Sequence, residues 1–121
     1  MAITPRKLLE AVTTALDDGK AEDIKVLDVR KLTSIADFMV VATGRSSRQV
    51  KALADRVADA ARKKKVRPLG IEGQQSSEWV LVDLGDVIVH VMQPEPRGFY
   101  QIEKLWEAPK RASAADRSAS A

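Results

Sequence analysis

The sequence contains no cysteine and only one histidine, His90. Without cysteine it has no disulfide framework and no thiolate chemistry, and the usual cysteine and histidine sets of structural zinc sites are excluded. No apolar run approaches the roughly 20 residues that a membrane-spanning helix needs. Residues 1–16 lack the long apolar segment and the small-residue cleavage site of a signal peptide. We therefore predict a cytoplasmic protein with no metal site, no cofactor and no membrane partner.

The net charge is only +3, but the two signs are unevenly distributed along the chain. Residues 30–67 hold 11 Lys or Arg against 3 Asp or Glu, whereas residues 68–106 hold 2 against 6. The first segment could face phosphates and the second a basic partner, although most such charges in proteins are merely solvated. The length of 121 residues suits one domain. We place this domain at residues 1–106 and predict a disordered Ala/Ser-rich tail at 107–121.

Hydrophobic periodicity and turn signals predict an α/β domain. The first helix begins at the N-cap Thr4, followed by Pro5, and stops at Gly19. A second helix begins at a capping box formed by Ser46 and Gln49. Strands are predicted at Ile24–Val29, Phe38–Ala42 and Leu69–Glu72 and in the two arms of a hairpin within Trp79–Met92. A third, short helix is predicted at Arg97–Trp106. This arrangement gives about five candidate strands with flanking helices.

The most informative segment is WVLVDLGDVIVHVM, residues 79–92, which alternates like a β-hairpin. Gly85 and Asp86 suit a two-residue loop, with glycine first as a type II′ turn prefers. The resulting register gives the hairpin one wholly apolar face, formed by Val80, Val82, Leu84, Val87, Val89 and Val91. The opposite face holds Trp79, Leu81, Asp83, Ile88, His90 and Met92. Either this mixed face contacts a protein partner, or a helix of the same chain covers it.

The segment after the hairpin could extend such an interface. Its candidate residues are Arg97, Tyr100, Glu103, Leu105 and Trp106, while Trp79 is a natural binding hot spot. The spacing of Asp83 and Asp86 across a turn is more typical of turn chemistry than of a metal or acid–base pair. The lone His90 suits a hydrogen-bonding or interface residue better than a catalytic base. We predict no catalytic residue.

Two further segments carry weaker signals. Gly44, Arg45, Ser46, Ser47 and Arg48 form a turn at a helix start that could hold an anion, but a well-capped helix explains the same residues. Nucleotidyltransferases pair such a turn with carboxylates on the following strand, and this chain has no Asp-x-Asp pair there. The basic run Arg62–Arg67 could contact phosphates or simply stabilise a helix C-terminus. No aromatic residue interrupts that run, so base stacking is not predicted.

Three stretches together resemble the ribosomal silencing factor family, also called the Iojap family. They are SIADFMVVATGRSSRQV, PLGIEGQQSSEWVLVDLGDVIVHVM and RGFYQIEKLW, and the resemblance covers about Asp23 to Trp106. One departure is Ile102, where the family pattern has leucine. The resemblance implies a mixed α/β fold similar to the nucleotidyltransferase scaffold without its catalytic carboxylates, and an adaptor rather than an enzyme. Many members of the family form homodimers, so a monomer–homodimer equilibrium is expected.

The same resemblance implies a partner and a mechanism. Members bind the large ribosomal subunit through large-subunit ribosomal protein fourteen and obstruct subunit joining, which lowers translation when nutrients are short. On this basis we place the docking surface on the mixed hairpin face together with Asp86, Arg97, Tyr100, Glu103, Leu105 and Trp106, with contacts to ribosomal RNA phosphates as an additional expectation. The alternatives are a nucleotide- or RNA-binding protein on a nucleotidyltransferase-like scaffold, acting at Gly44–Arg48, and an RNA-binding module that uses Lys63–Lys65.

Overall fold

The computed structural model describes residues 3–106, and the predicted tail at 107–121 lies outside the described residues. Within residues 3–106 the chain forms five strands, three α-helices and one 3-10 helix. In chain order these are α1 (Pro5–Asp18), β1 (Glu22–Asp28), β2 (Phe38–Thr43), α2 (Ser47–Lys63), β3 (Gly70–Glu72), β4 (Trp79–Asp83), β5 (Val87–Met92), α3 (Pro94–Tyr100) and the 3-10 helix (Ile102–Leu105).

The five strands form one sheet in the order β1-β2-β5-β4-β3. The central pair, β2 and β5, is parallel, and the three other pairs are antiparallel. The predicted mixed sheet of about five strands is therefore confirmed. Helix α2 connects β2 to β3, which lies at the far edge of the sheet.

Helices α1 and α2 cover one face of the sheet, which we call the inner face. Its core is built from the helical stripes and from the alternating residues of the strands. Buried members include Leu8, Val12 and Leu16 of α1, Val50, Leu53 and Val57 of α2, and Val40, Val80, Val82, Val89 and Val91 of the sheet. All six residues predicted for the apolar hairpin face are buried in this core.

Local capping chemistry fixes both long helices, as predicted. The hydroxyl of Thr4 accepts a hydrogen bond from the Lys7 amide at 3.1 Å, and the Ser46 hydroxyl accepts one from the Gln49 amide at 3.1 Å. The Gln49 side chain accepts from the amide of Arg45 at 2.7 Å, one residue before the N-cap. Each bond satisfies an amide that the helix itself leaves without a partner.

The hairpin has the predicted register and a two-residue loop at the predicted position. Asp83 lies opposite Ile88, and Trp79 lies opposite Met92. Gly85 has a φ of +86°, and the amide of Leu84 donates to the carbonyl of Val87 at 3.0 Å. Glycine adopts this positive φ without a steric cost. The amide of Asp86 donates to the carbonyl of Leu84 at 3.1 Å, so the loop closes with the i to i+2 hydrogen bond of a γ-turn and not with the i to i+3 bond expected of a type II′ turn.

The predicted single helix Arg97–Trp106 is wrong in its bounds and continuity. Helix α3 already begins at Pro94, because a proline at the first helical position has its φ fixed at a helical value and needs no amide partner. It ends at Gln101, whose φ of +47° is left-handed, and a separate 3-10 helix follows. This break turns the chain back over the sheet.

Candidate functional site

The sheet face opposite α1 and α2, which we call the outer face, carries the mixed set of residues predicted from the hairpin. Across the ladder, Trp79 pairs with Met92, Leu81 with His90, and Asp83 with Ile88. The parallel strand β2 extends these rows, because Val41 lies beside His90 and Met39 beside Ile88. The outer face is therefore a surface built across three adjacent strands.

The segment Pro94–Trp106 covers part of the outer face. Ile102 of the 3-10 helix packs with Val41 and Met92 in a small buried cluster, against which Trp79 also packs. Trp106 packs against a second cluster that includes Leu27 and Met39. The alternative in which a helix of the chain covers this face is thus correct for the end of the sheet near Met92.

This cover corrects the predicted docking surface at three positions. Met92 is fully buried, and His90 and Arg97 are only 8% and 6% exposed. They cannot meet a partner directly, because all three side chains are buried within the domain. Trp79, Leu81, Asp83 and Ile88 stay half-buried, so part of each side chain can still be reached from outside.

A hydrogen bond between Trp79 and His90 lies at the covered end of the outer face. The indole N–H of Trp79 donates to Nδ1 of His90 at 2.9 Å, and the two rings are 5.9 Å apart between centroids. Burial lowers the pKa of His90 to about 4, so its ring is neutral at pH 7. A neutral ring with Nδ1 as acceptor carries its proton on Nε2. His90 therefore fixes the orientation of Trp79.

Arg97 is the anchor that fastens α3 to the sheet. One guanidinium nitrogen, Nη1, donates to the carbonyl of Asp23 at 2.6 Å and to the hydroxyl of Thr43 at 2.8 Å. Nε donates to Glu103 at 3.4 Å, and Nη2 lies 3.5 Å from the Asp23 carboxylate. The charge of Arg97 is thus buried together with hydrogen-bond partners from three separate segments, which is the condition for burying a charge at acceptable cost.

Beyond this anchor, three large apolar side chains project into solvent. Phe99 is 79% exposed, Tyr100 55% and Leu105 76%. Tyr100 packs against Trp79 with ring centroids 5.2 Å apart and the rings tilted by 43°, and Phe99 meets Tyr100 edge-on at 4.9 Å. The rings of Trp79, Tyr100 and Phe99 form a continuous row from the sheet to the exposed end of α3, and we call these three residues the aromatic row.

Phe99 was missing from the sequence prediction. The signal that could have found it is its position directly before Tyr100, in a segment already predicted to extend the interface. Gly73, in the Glu-Gly pair of the family pattern, also has a role that the sequence did not reveal. Its φ is +88°, and a Cβ there would overlap the carbonyl oxygen of Trp79. Glycine thus allows the loop before β4 to pass directly over the Trp79 backbone.

Carboxylates accompany this surface. One oxygen of Asp83 accepts from the amide of Gly85 at 2.9 Å, so the predicted turn chemistry is confirmed for this residue. Asp86 is exposed at the hairpin tip, and Glu95 is exposed in the first turn of α3. Glu103 is less accessible, since one oxygen binds Arg97, and the other is buried without a hydrogen-bond partner among residues 3–106.

The turn Gly44–Arg48 is a well-capped helix start. Two carboxylates of β1 that line the same hollow as Arg45 are bound by arginines: Glu22 contacts Arg45 at 2.8 Å, and Asp23 contacts Arg97. The hydrogen bond from Arg45 lowers the pKa of Glu22. Across residues 3–106, no three Asp, Glu or His side chains come together in a group that could hold a metal ion. The helices described in that range are also too short or too polar to span a membrane.

Comparison with known proteins identifies the family. The model of the family described as "Ribosomal silencing factor during starvation" matches residues 2–121. The chain belongs to the ribosomal silencing factor family. It is 54% identical over 96 residues to the ribosomal silencing factor RsfS of Chromobacterium violaceum, covering 79% of each chain. It is 45% identical over 102 residues to that of Zymomonas mobilis, covering 84% of this chain and 77% of the relative.

A solved structure supports the fold as well. The crystal structure of a Chromobacterium violaceum protein superimposes with a TM-score of 0.85 and 49% identity, covering 86% of this chain and 87% of that one. This member of the ribosomal silencing factor family therefore shares its mixed sheet with an experimentally determined neighbour.

Proposed function

We propose that this protein binds the large ribosomal subunit through large-subunit ribosomal protein fourteen and thereby blocks the joining of the small subunit. The proposed result is repression of translation under nutrient limitation, in the cytoplasm and without a chemical step. The observation that carries the proposal is the aromatic row of Trp79, Tyr100 and Phe99, which leads from the sheet into solvent.

The chemistry of this surface suits a basic protein partner. Phe99, Tyr100 and Leu105 offer apolar area of the kind found at the centre of protein interfaces. The exposed carboxylates of Asp86 and Glu95 favour lysine and arginine on the partner, which aids encounter and orientation more than affinity. Arg97, His90 and Met92 support the surface from below, because they fix the segment that displays it.

The proposed mechanism is steric. A small domain that occupies a contact area between the two ribosomal subunits needs only sufficient affinity and bulk to prevent their association. Preorganisation supports this affinity, since the Tyr100 ring already packs against Trp79 in the free protein. Membership of the ribosomal silencing factor family supports the choice of the large subunit as partner.

Cosedimentation with isolated large and small ribosomal subunits tests the proposal. The matched pair is Tyr100→Ala, in the aromatic row, and Leu69→Ala, an exposed apolar residue beside the hairpin turn at Gly85. We expect binding to the large subunit only, a loss of about 2 kcal/mol in binding free energy for Tyr100→Ala, and no loss for Leu69→Ala. Wild-type protein should also reduce the fraction of joined ribosomes when small subunits are added.

Binding of the Tyr100→Ala and Phe99→Ala variants as tight as that of wild type would show that the assigned surface is wrong. Binding to the large subunit with undiminished joining would contradict the steric mechanism and leave the partner intact. No binding to either subunit would remove the ribosomal proposal altogether.

A further inference from the structure

A cluster of cations at the end of α2 has no role in the proposed docking surface. Five of the six residues Arg62–Arg67 are lysine or arginine, and all five are exposed. Arg62 pairs with Asp59 at 3.2 Å. For Lys63, Lys64, Lys65 and Arg67, the structure shows no ion pair with any residue between 3 and 106. These four cations, which we call the basic turn, are directed to solvent without an internal partner.

The backbone of the basic turn is held rigidly. Lys65 has a left-handed φ of +67°, and its amide donates to the carbonyl of Arg62 at 2.9 Å. The amide of Val66 donates to Ala61 at 2.9 Å, and its side chain packs against the main core. This pair of bonds is the Schellman arrangement, in which glycine is the usual left-handed residue. Here a lysine takes that position, so the turn gains a cation in place of the residue that fits its backbone most easily.

The surroundings of the basic turn are also positive. Residues 47–67 contain eight Lys or Arg and two Asp, a net charge of +6. The side chains of Arg62, Lys65 and Arg67 line one shallow hollow. Lys63 and Lys64 line the neighbouring groove between α1 and α2, where Lys7 and Arg56 add two cations and Glu10, Asp18 and Asp59 add three carboxylates. The excess of cations over carboxylates is therefore clearest at the turn itself and along its hollow.

The position of the basic turn separates it from the docking surface. Helix α2 packs on the inner face of the sheet through Val50, Leu53 and Val57. The aromatic row starts from Trp79 on the outer face, next to Met92 and Ile102. A protein bound at the aromatic row would thus leave the basic turn accessible on the other side of the sheet.

We propose that the basic turn binds the phosphodiester backbone of RNA, independently of the protein-docking surface. Charge complementarity selects the ligand, since unpaired lysine and arginine side chains on a fixed backbone are suited to successive phosphates. No aromatic residue occurs between positions 39 and 78, so no ring is available in this part of the chain for base stacking. Recognition is therefore of the backbone and not of the base sequence.

Fluorescence anisotropy with a labelled RNA hairpin tests this inference. The variant Lys63→Gln/Lys64→Gln/Lys65→Gln should bind at least about 10-fold more weakly than wild type, and the slope of log affinity against log salt should become shallower by about 2. Lys20→Gln/Lys31→Gln/Lys104→Gln is the matched control. It removes the same charge from exposed positions and includes Lys20, which also has a φ of +67°. It should bind nearly as wild type.

Equal losses in both triple variants would overturn the proposal, because net charge alone would then explain binding. It would also be overturned if poly-glutamate bound the basic turn while the RNA hairpin did not, since the partner would then be an acidic protein. The Tyr100→Ala variant should bind the hairpin like wild type. If wild-type protein binds the RNA hairpin but not the large subunit, only the proposed function is contradicted. If it binds the large subunit but not the RNA hairpin, only this inference is contradicted.

Discussion

Trp79 and His90 are joined by a hydrogen bond from the indole N–H to Nδ1, 2.9 Å long, on the face of the sheet that α3 partly covers. The bond depends on a neutral imidazole, because a protonated ring has no acceptor at Nδ1. Burial lowers the pKa of His90 from 6.5 to about 4 and so keeps the ring neutral in the folded state. The orientation of Trp79 and the protonation of His90 are therefore coupled.

This coupling predicts a loss of stability in mild acid. Between about pH 6.5 and about pH 4 the unfolded chain binds a proton at His90 that the folded chain does not, so the free energy of unfolding falls as the pH falls through this window. The full contribution, about 3 kcal/mol, is present above pH 6.5 and is largely lost near pH 4. Urea unfolding across that range measures it.

The variant His90→Asn serves as the control for this effect. Its amide oxygen can still accept from Trp79, but it does not titrate. We expect a flatter dependence of stability on pH in the same window. An unchanged slope would mean that other groups cause the acid sensitivity.

Arg97, which the sequence analysis placed in the docking surface, should make a large contribution to the stability of the fold. Arg97→Met should lower the free energy of unfolding by about 3 kcal/mol, because it leaves Glu103 and the Thr43 hydroxyl buried without their partner. Arg30→Met should have a much smaller effect, since its ion pair with Asp28 is exposed to solvent. Chemical denaturation of both variants gives the comparison. A double variant, Arg97→Met with Glu103→Gln, should recover part of the loss.

Alanine variants of Met92 and Phe99 should separate effects on stability from effects on large-subunit binding. Met92 is fully buried against Val41 and Ile102, so Met92→Ala should cost about 2–5 kcal/mol of stability. Phe99 is 79% exposed, so Phe99→Ala should change stability by no more than about 0.5 kcal/mol. If the proposed docking surface is correct, Phe99→Ala should still weaken large-subunit binding by about 10-fold or more. Thermal melts and cosedimentation give the two readouts, and unchanged binding would place Phe99 outside the interface.

Two glycines should respond in opposite directions to the same substitution. Gly73→Ala should destabilise the protein by about 2 kcal/mol or more, because a Cβ at this positive φ overlaps the carbonyl oxygen of Trp79. Gly98 lies in α3 with nothing within 4 Å of the added Cβ, so Gly98→Ala should stabilise α3 by about 0.5–1 kcal/mol. Melting temperatures of the two variants test the pair. Tolerance of alanine at Gly73 would show that the loop before β4 can move away from Trp79.

Local chemistry made most of the fold predictable. The caps at Thr4 and Ser46 and the loop at Gly85 are encoded within a few residues, and each was predicted where the structure has it. The hairpin register followed from alternation, since a shift by one residue would have moved Val80 and Val89 out of the core. Helix α3 was predicted less well, because Pro94 both ends a strand and starts a helix, and the sequence indicated only the first of these.

The amino-acid sequence by itself determined which residues of the hairpin share a face, because side-chain direction follows from strand periodicity alone. Only the tertiary structure decided which of them remain accessible. Ile102 lies ten positions beyond Met92, and its packing on Met92 and Val41 depends on the left-handed break at Gln101 and on the Arg97 anchor at β1 and β2. These contacts join segments that are distant along the chain, so no local pattern reports them. They bury Met92, His90 and Arg97, and they leave Phe99 and Tyr100 at the surface.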